Sequence, residues 1–243
     1  MGKKMNIKKA RMIDSTTPFA IKEAYNQLRT SLMYTATDTD TCPVYAVTSA
    51  EAGDGKSTVI SNLAVSFAQA KKKVLLIDAD MRRPVQHQHF TLNKKQTGLS
   101  ELLSGISAYE PTQLSNPMPY LYVLTSGCVP PNPAELMLSK KFEELLTEWR
   151  KNFDVIFIDL PPVGIVSDPI SVTTLADGYI LVVRANKTDA RHLNSAITTL
   201  EQVNAKVLGV VLAGASLKGE GSYKSKYSKG YEYVYAYSHV PSK

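Results

Sequence analysis

Short, uninterrupted apolar runs alternate along this chain with longer stretches in which apolar residues recur every three or four positions. The runs lie at about 43–49, 73–77, 121–124, 153–159, 178–183 and 206–212. Their length and their Val and Ile content predict strands, and the continuous ones predict strands covered on both faces. Between them, a 3.6-residue period predicts helices at 18–35, 57–71, 139–151 and 189–203. Shorter helices are predicted at 97–103 and 168–175, and Pro130, Pro131 and Pro133 mark a rigid turn that starts another. In the first helix, Phe19, Ala24, Tyr25, Leu28, Leu32 and Met33 are expected to face inward, with Pro18 suited to the first turn. In the second, Val59, Leu63, Ala64, Phe67 and Ala68 form the apolar side. Strands alternating with helices predict an α/β fold with a parallel sheet, helices on both faces and right-handed crossovers.

The junctions carry the candidate chemistry. The first strand runs into Ala50-Glu51-Ala52-Gly53-Asp54-Gly55-Lys56-Ser57-Thr58, which matches a phosphate-binding P-loop except that Ala50 stands at its first glycine. Backbone N–H groups from Ala52 to Thr58 and the positive end of the next helix suit a nucleotide's phosphates. Lys56 is placed to reach the β- and γ-phosphates, and the Ser57 hydroxyl to meet the accompanying Mg2+. The second strand ends in Asp78-Ala79-Asp80-Met81-Arg82, and the 153–159 strand ends in Asp159 before Leu160-Pro161-Pro162. Carboxylates just beyond parallel strands sit where open α/β sheets bind ligands. An apolar strand ending in Asp about 100 residues after a P-loop is the Walker B pattern, whose acid belongs to the magnesium shell. His87 and His89 fall in an expected loop and are too few to suggest a metal site.

Composition changes this picture little, and charge more. The 243 residues are 44% hydrophobic and 21% charged, with two cysteines and no CxxC spacing. No run approaches the roughly 18 apolar residues of a membrane span, so a cytoplasmic protein is expected. The net charge of +6 is concentrated at the ends, in Lys3, Lys4, Lys8, Lys9 and Arg11, and in Lys224, Lys226 and Lys229. Such ends are commonly solvated, and a weak attraction to an anionic inner leaflet is the functional alternative.

Six of the thirteen tyrosines, Tyr223, Tyr227, Tyr231, Tyr233, Tyr235 and Tyr237, stand among Gly, Ser and Lys after the regular pattern ends near residue 213. Three readings are open: an edge strand, an aromatic platform for single-stranded nucleic acid, or hydroxyls that are themselves a substrate. The expected organisation is a basic arm at 1–16, one body at 17–213 and a flexible tyrosine-rich tail at 214–243.

The loop at 50–58, the Asp-x-Asp-x-Arg segment at 78–82, the Asp-x-Pro-Pro end at 159–162 and the tyrosine cluster together resemble the bacterial tyrosine kinases of capsule and exopolysaccharide synthesis. The resemblance spans about residues 15–237 and is nearest to the Gram-positive form, in which the kinase is a separate chain. It implies a P-loop NTPase-like sheet, ATP and Mg2+ as cofactors, and phosphorylation of the tail tyrosines between subunits. By the same resemblance Ser57, Asp80 and Asp159 hold magnesium, Asp78 accepts the tyrosine proton and Arg82 lies near the transferred phosphate, with the roles of Asp78 and Asp80 open to exchange. A transmembrane activator, other protein substrates and a homo-oligomeric ring are implied partners, and nucleic acid is disfavoured. Glu23 and Arg29 match the family's ring-assembly motif, whereas Asn26 replaces its middle Arg and implies a weaker ring contact. Related positioning and partition ATPases carry a lysine where Glu51 stands, so a nucleotide switch without kinase activity is the alternative reading.

Overall fold

The computed structural model describes residues 12–35, 41–93 and 96–215; the arm lysines and the tail tyrosines lie outside these. Seven strands form one sheet in the order β3-β4-β2-β5-β1-β6-β7. They are β1 (Val44–Ser49), β2 (Val74–Asp78), β3 (Ser115–Met118), β4 (Leu121–Leu124), β5 (Val155–Asp159), β6 (Gly178–Arg184) and β7 (Val207–Ala213). All neighbours pair in parallel except β3, which runs antiparallel to β4 at one edge. The predicted strands are all present. The added strand β3 contains Pro117 and no apolar alternation, so only the partner β4 reveals it.

Successive strand residues feed two cores, as the twofold side-chain alternation of a strand requires. Val44, Ala46, Leu75, Ile77, Ile156 and Ile158 face a layer built on α6 (Lys140–Arg150) and α7 (Ala190–Gln202), together with the short helices α4 (Leu99–Leu103) and α5 (Pro133–Met137). Tyr45, Val47, Val74, Leu76, Val155 and Phe157 face α1 (Phe19–Thr35) and α2 (Lys56–Gln69). Phe157 is fully buried, with the Phe67 ring edge-on at 5.3 Å and the Tyr45 ring at 5.8 Å.

Several expectations are corrected. Helix α2 is buried on nearly every side rather than amphipathic, because α1 covers the side turned away from the sheet. Helix α1 itself inserts Leu32 and packs Tyr25 and Leu28, while Phe19 and Met33 are half exposed and Ala24 faces solvent. Polar groups help to set that orientation: Arg29 Nη1 donates to both the Ser66 carbonyl and the Ser66 hydroxyl at 2.7 Å. The 168–175 segment is a 3-10 turn at Asp168–Val172, started by Pro169. The expected loop holding His87 and His89 contains a four-residue helix, α3 (Gln86–His89). Strand β7 is an edge, which leaves Val210 and Leu212 partly exposed where a covered strand was expected. Among the described residues no helix is long and apolar enough to cross a membrane.

The strand order positions the site. The chain leaves β1 for β2 on one side and later continues from β5 to β6 on the other, so connections diverge around the central β5–β1 pair. That divergence opens a crevice beyond the carboxyl ends of the strands. Replacing Phe157 with Ala should lower stability by about 3–5 kcal/mol through the cavity left between α2 and the sheet, read from urea denaturation followed by circular dichroism.

Candidate active site

Three junctions meet at this crevice. The register pairs Asp78 of β2 with Asp159 of β5, and Asp159 with Val47 of β1, just before the loop at 50–58. Gly53 and Gly55 take φ values of +80° and +95°, a left-handed conformation that strains any residue with a Cβ. The turn they allow brings the chain into α2 with Gly55 as its N-cap. Fourteen residues of helix then direct their N-terminal dipole at the loop.

Lys56 opens α2 and turns its ammonium back over the strand ends. Its Nζ lies 2.8 Å from Asp80 Oδ2, 3.4 Å from Asp159 Oδ1 and 3.0 Å from Ser57 Oγ. Burial by itself lowers the proton affinity of this ammonium, but Asp159, Asp80 and Asp78 outweigh it and leave the pKa raised. Asp78 is fully buried. Its Oδ2 accepts from the Val85 and Gln86 N–H groups at 3.1 and 2.9 Å, while Oδ1 has no hydrogen-bond partner among the described residues. Burial, then repulsion from Asp159, raises its pKa well above the usual carboxylate range. Asp80 accepts from the Arg83 N–H at 3.0 Å through its second oxygen.

The structure therefore brings Lys56, Ser57, Asp78, Asp80 and Asp159 together. Arg82 is turned differently: its Nε and Nη2 donate to the two oxygens of fully buried Asp168 at 2.7 and 2.9 Å, a bidentate pair. Ala52 and Gly53 form the exposed crest of the loop, Asp54 is buried beneath it, and the Thr58 carbonyl accepts from Asn62 at 3.0 Å. Glu23 and Arg29 lie apart from this crevice, half-buried on α1, with Glu23 accepting from Asn26 at 3.4 Å.

Four contributing residues escaped sequence reasoning. Gln86 reaches Asp159 Oδ2 at 2.7 Å, and Asp168 anchors Arg82. From the segment after β6, Lys187 donates to the Ala52 carbonyl at 2.6 Å and to Asp54 at 2.9 Å. His192 lies 2.8 Å from Glu51, whose carboxyl it holds below the usual range. The loop is thus clasped from outside by residues about 140 positions downstream. No local pattern marks such partners; only Asp168, ahead of Pro169, carries a turn-starting signal.

The oxygen donors Ser57, Asp80 and Asp159 suit a hard cation such as Mg2+. Among the described residues no group of three or more His, Cys, Asp or Glu side chains is arranged to hold a metal alone. Mg2+ commonly completes its shell with substrate phosphates and waters, so these residues fit it.

Comparison with known proteins bears on the family and the fold. A family model described as ParA, NUBPL iron-transfer P-loop NTPase, matches residues 41–229. Tyrosine-protein kinase YwqD of Bacillus subtilis (strain 168) is 39% identical over 213 residues, 87% of this chain and 89% of that protein. The chain belongs to the bacterial tyrosine kinase family. The kinase domain of Escherichia coli tyrosine kinase ETK superposes on it with a TM-score of 0.77 at 31% identity, over 91% of this kinase and 89% of that chain. The chimerical protein CapA2B2 gives 0.74 at 35% identity, over 81% and 85%. This kinase is a protein-tyrosine kinase on a nucleotide-binding P-loop fold.

Two outcomes test the site's surroundings. Replacing Lys187 with Met removes the cation beside buried Asp54 and should cost about 1–3 kcal/mol of stability and weaken nucleotide binding, read by thermal denaturation and nucleotide titration. His89 packs its Nδ1 2.9 Å from Ser61 Oγ, and burial lowers its pKa below 6.5. A base whose folded pKa is depressed contributes stability above its unfolded pKa and loses it as pH falls through the folded value. The urea midpoint of this kinase should therefore fall between pH 7.5 and 5 more than that of His89→Gln.

Proposed function

We propose that this kinase transfers the γ-phosphoryl group of ATP to the tyrosines at 223–237 of a neighbouring copy and thereby regulates synthesis of a capsular or extracellular polysaccharide. The observation that carries the reading is Lys56, held among Asp80, Asp159 and Ser57 at the mouth of the phosphate loop. Residues 17–213 form the catalytic body in this reading, and 214–243 the acceptor tail.

Little covalent chemistry falls to the protein in phosphoryl transfer, so positioning and charge govern the rate. The loop amides at Ala52, Gly53, Asp54, Gly55, Lys56, Ser57 and Thr58 receive the phosphates, and Lys56 exchanges carboxylate oxygens for phosphate oxygens. Ser57, Asp80 and Asp159 would hold Mg2+, which would supply charge neutralisation for the triphosphate. The tyrosine oxygen forms its bond to the γ-phosphorus as the bond to ADP breaks, and the hydroxyl proton passes to a carboxylate. The unpartnered Oδ1 and raised proton affinity of Asp78 support it as that acceptor, while the Lys56 pair supports Asp80 as the metal-side acid. Arg82, already fixed by Asp168, is the nearby cation for the transferred group.

Random-coil scaling gives a segment of 20–30 residues a root-mean-square reach of about 25–30 Å, enough to enter a neighbour's crevice. Glu23 and Arg29 on α1 are the proposed ring contacts, and a membrane-spanning partner brings the kinase to the inner face of the plasma membrane. Each phosphate adds roughly −1.5 to −2 charges, so a fully modified tail reverses sign and loosens the ring.

With γ-labelled ATP, Mg2+ and the activating partner's cytoplasmic segment, label should appear on Tyr223–Tyr237 and vanish in Lys56→Met. Release of free phosphate with no labelled tyrosine, with or without that segment, rejects the tail as substrate. Sedimentation showing only monomer before phosphorylation rejects the ring.

A further inference from the structure

Gln86 is fully buried and connects all three motifs of the site. Its backbone N–H donates to Asp78 Oδ2 at 2.9 Å, and its side-chain Nε2 donates to Asp159 Oδ2 at 2.7 Å. The same Nε2 lies 3.4 Å from the Ser57 carbonyl. Its Oε1 is 2.7 Å from Ser61 Oγ, one turn along α2 from Ser57, and that hydroxyl is in turn 2.9 Å from His89 Nδ1. The orientation of the amide follows from its neighbours. A carboxylate and a carbonyl both require a donor, so the NH2 group must face Asp159 and Ser57, and the oxygen must face the hydroxyl.

We infer that Gln86 is a positioning residue that sets the rotation of the Asp159 carboxylate. With Oδ2 tied back by the amide, Oδ1 is the oxygen presented to Lys56. Without that tie the carboxylate is free to turn, and one buried oxygen loses its partner. Three elements converge on a single side chain: α3 carries it, α2 anchors its oxygen and β5 supplies the acid it orients. A carboxylate in a magnesium shell is commonly fixed by such an outer hydrogen bond, whose removal weakens metal affinity by about 10–100-fold. The amide also explains why a four-residue helix is placed against α2, since α3 positions Gln86 and His89 on the same serine.

This inference rests on the proposed role of Asp159 in holding Mg2+, and its test requires no phosphoryl transfer. Binding of a fluorescent ADP analogue is titrated against Mg2+ and, separately, in EDTA. In Gln86→Met, half-saturating Mg2+ should rise at least about tenfold, while affinity in EDTA stays within about twofold of the unaltered kinase. Gln86→Asn, too short to reach Asp159, should behave like Gln86→Met and carries the test if the latter does not fold. Ser61→Ala, which removes the anchor of the amide oxygen together with the hydroxyl's contacts to His89 and the Ser57 carbonyl, should give a smaller shift in the same direction. Unaltered Mg2+ dependence in Gln86→Asn, or an equal loss of affinity with and without Mg2+, overturns the inference. Nucleotide binding that ignores Mg2+ in the unaltered kinase overturns it too, by removing the metal role of Asp159. Absence of tyrosine labelling alongside the expected Mg2+ shift rejects only the tail reading.

Discussion

Three carboxylates at the ends of adjacent strands surround one buried ammonium, and most of the molecule is arranged to make that tolerable. Asp78 and Asp159 face each other across the β2–β5 register, and Asp80 follows two residues later. Like charges this close, away from water, repel strongly unless a cation and hydrogen bonds compensate. Lys56 supplies the cation, while the N–H groups of Val85 and Gln86, the amide of Gln86 and the N–H of Arg83 supply hydrogen bonds. The arrangement leaves Asp78 Oδ1 without a partner among the described residues. A site so poised releases unfavourable interactions when a proton or a divalent cation arrives, which is what phosphoryl transfer to a hydroxyl brings to it.

The two clasps on the phosphate loop divide the work between sides of the sheet. On the inner side, α3 and the start of α2 hold the acids through Gln86 and Ser61. On the outer side, Lys187 and His192, from either end of the segment that enters α7, hold the back of the loop at Ala52, Asp54 and Glu51. The back of the loop is thereby tied to its own chain at three residues. Glu51 is informative in this respect, because it bonds within the same chain at a position where related ATPases place a lysine. Its carboxyl stabilises the loop and does not reach outward.

Much of the fold was legible in the sequence, and the site was partly so. The parallel strands appeared as continuous apolar runs, since burial on both faces excludes polar residues from most of them, whereas β7 carries the same pattern on a partly exposed edge. The loop at 50–58 and the acids at 78, 80 and 159 were legible because phosphate and magnesium chemistry demand particular residues at short, fixed spacings. The apolar side of helix α2 (Val59, Leu63, Ala64, Phe67 and Ala68) reads as one face of an amphipathic helix, but its polar positions Ser57, Ser61, Asn62 and Ser66 are buried as well. In the structure they bond to Gln86, Ile13, Arg29 and each other's turns. Met33 and Phe19 were assigned inward because periodicity does not distinguish a covered stripe from one that continues past the edge of its partner helix.

By itself, then, the sequence determined whatever depends on neighbours along the chain: the alternation of strands and helices, the phosphate loop, and the acids that terminate β2 and β5. Tertiary structure decided which distant groups complete these pieces. That Gln86 fixes Asp159, 73 residues away, and that Lys187 supports Asp54 across 133, follows from the strand order and not from any local pattern. A hydrogen bond between remote segments leaves no periodicity and no spacing in either of them. For this kinase Lys56 and the acids at 78, 80 and 159 were each written in the chain, but their meeting exists only once β5 lies between β1 and β2.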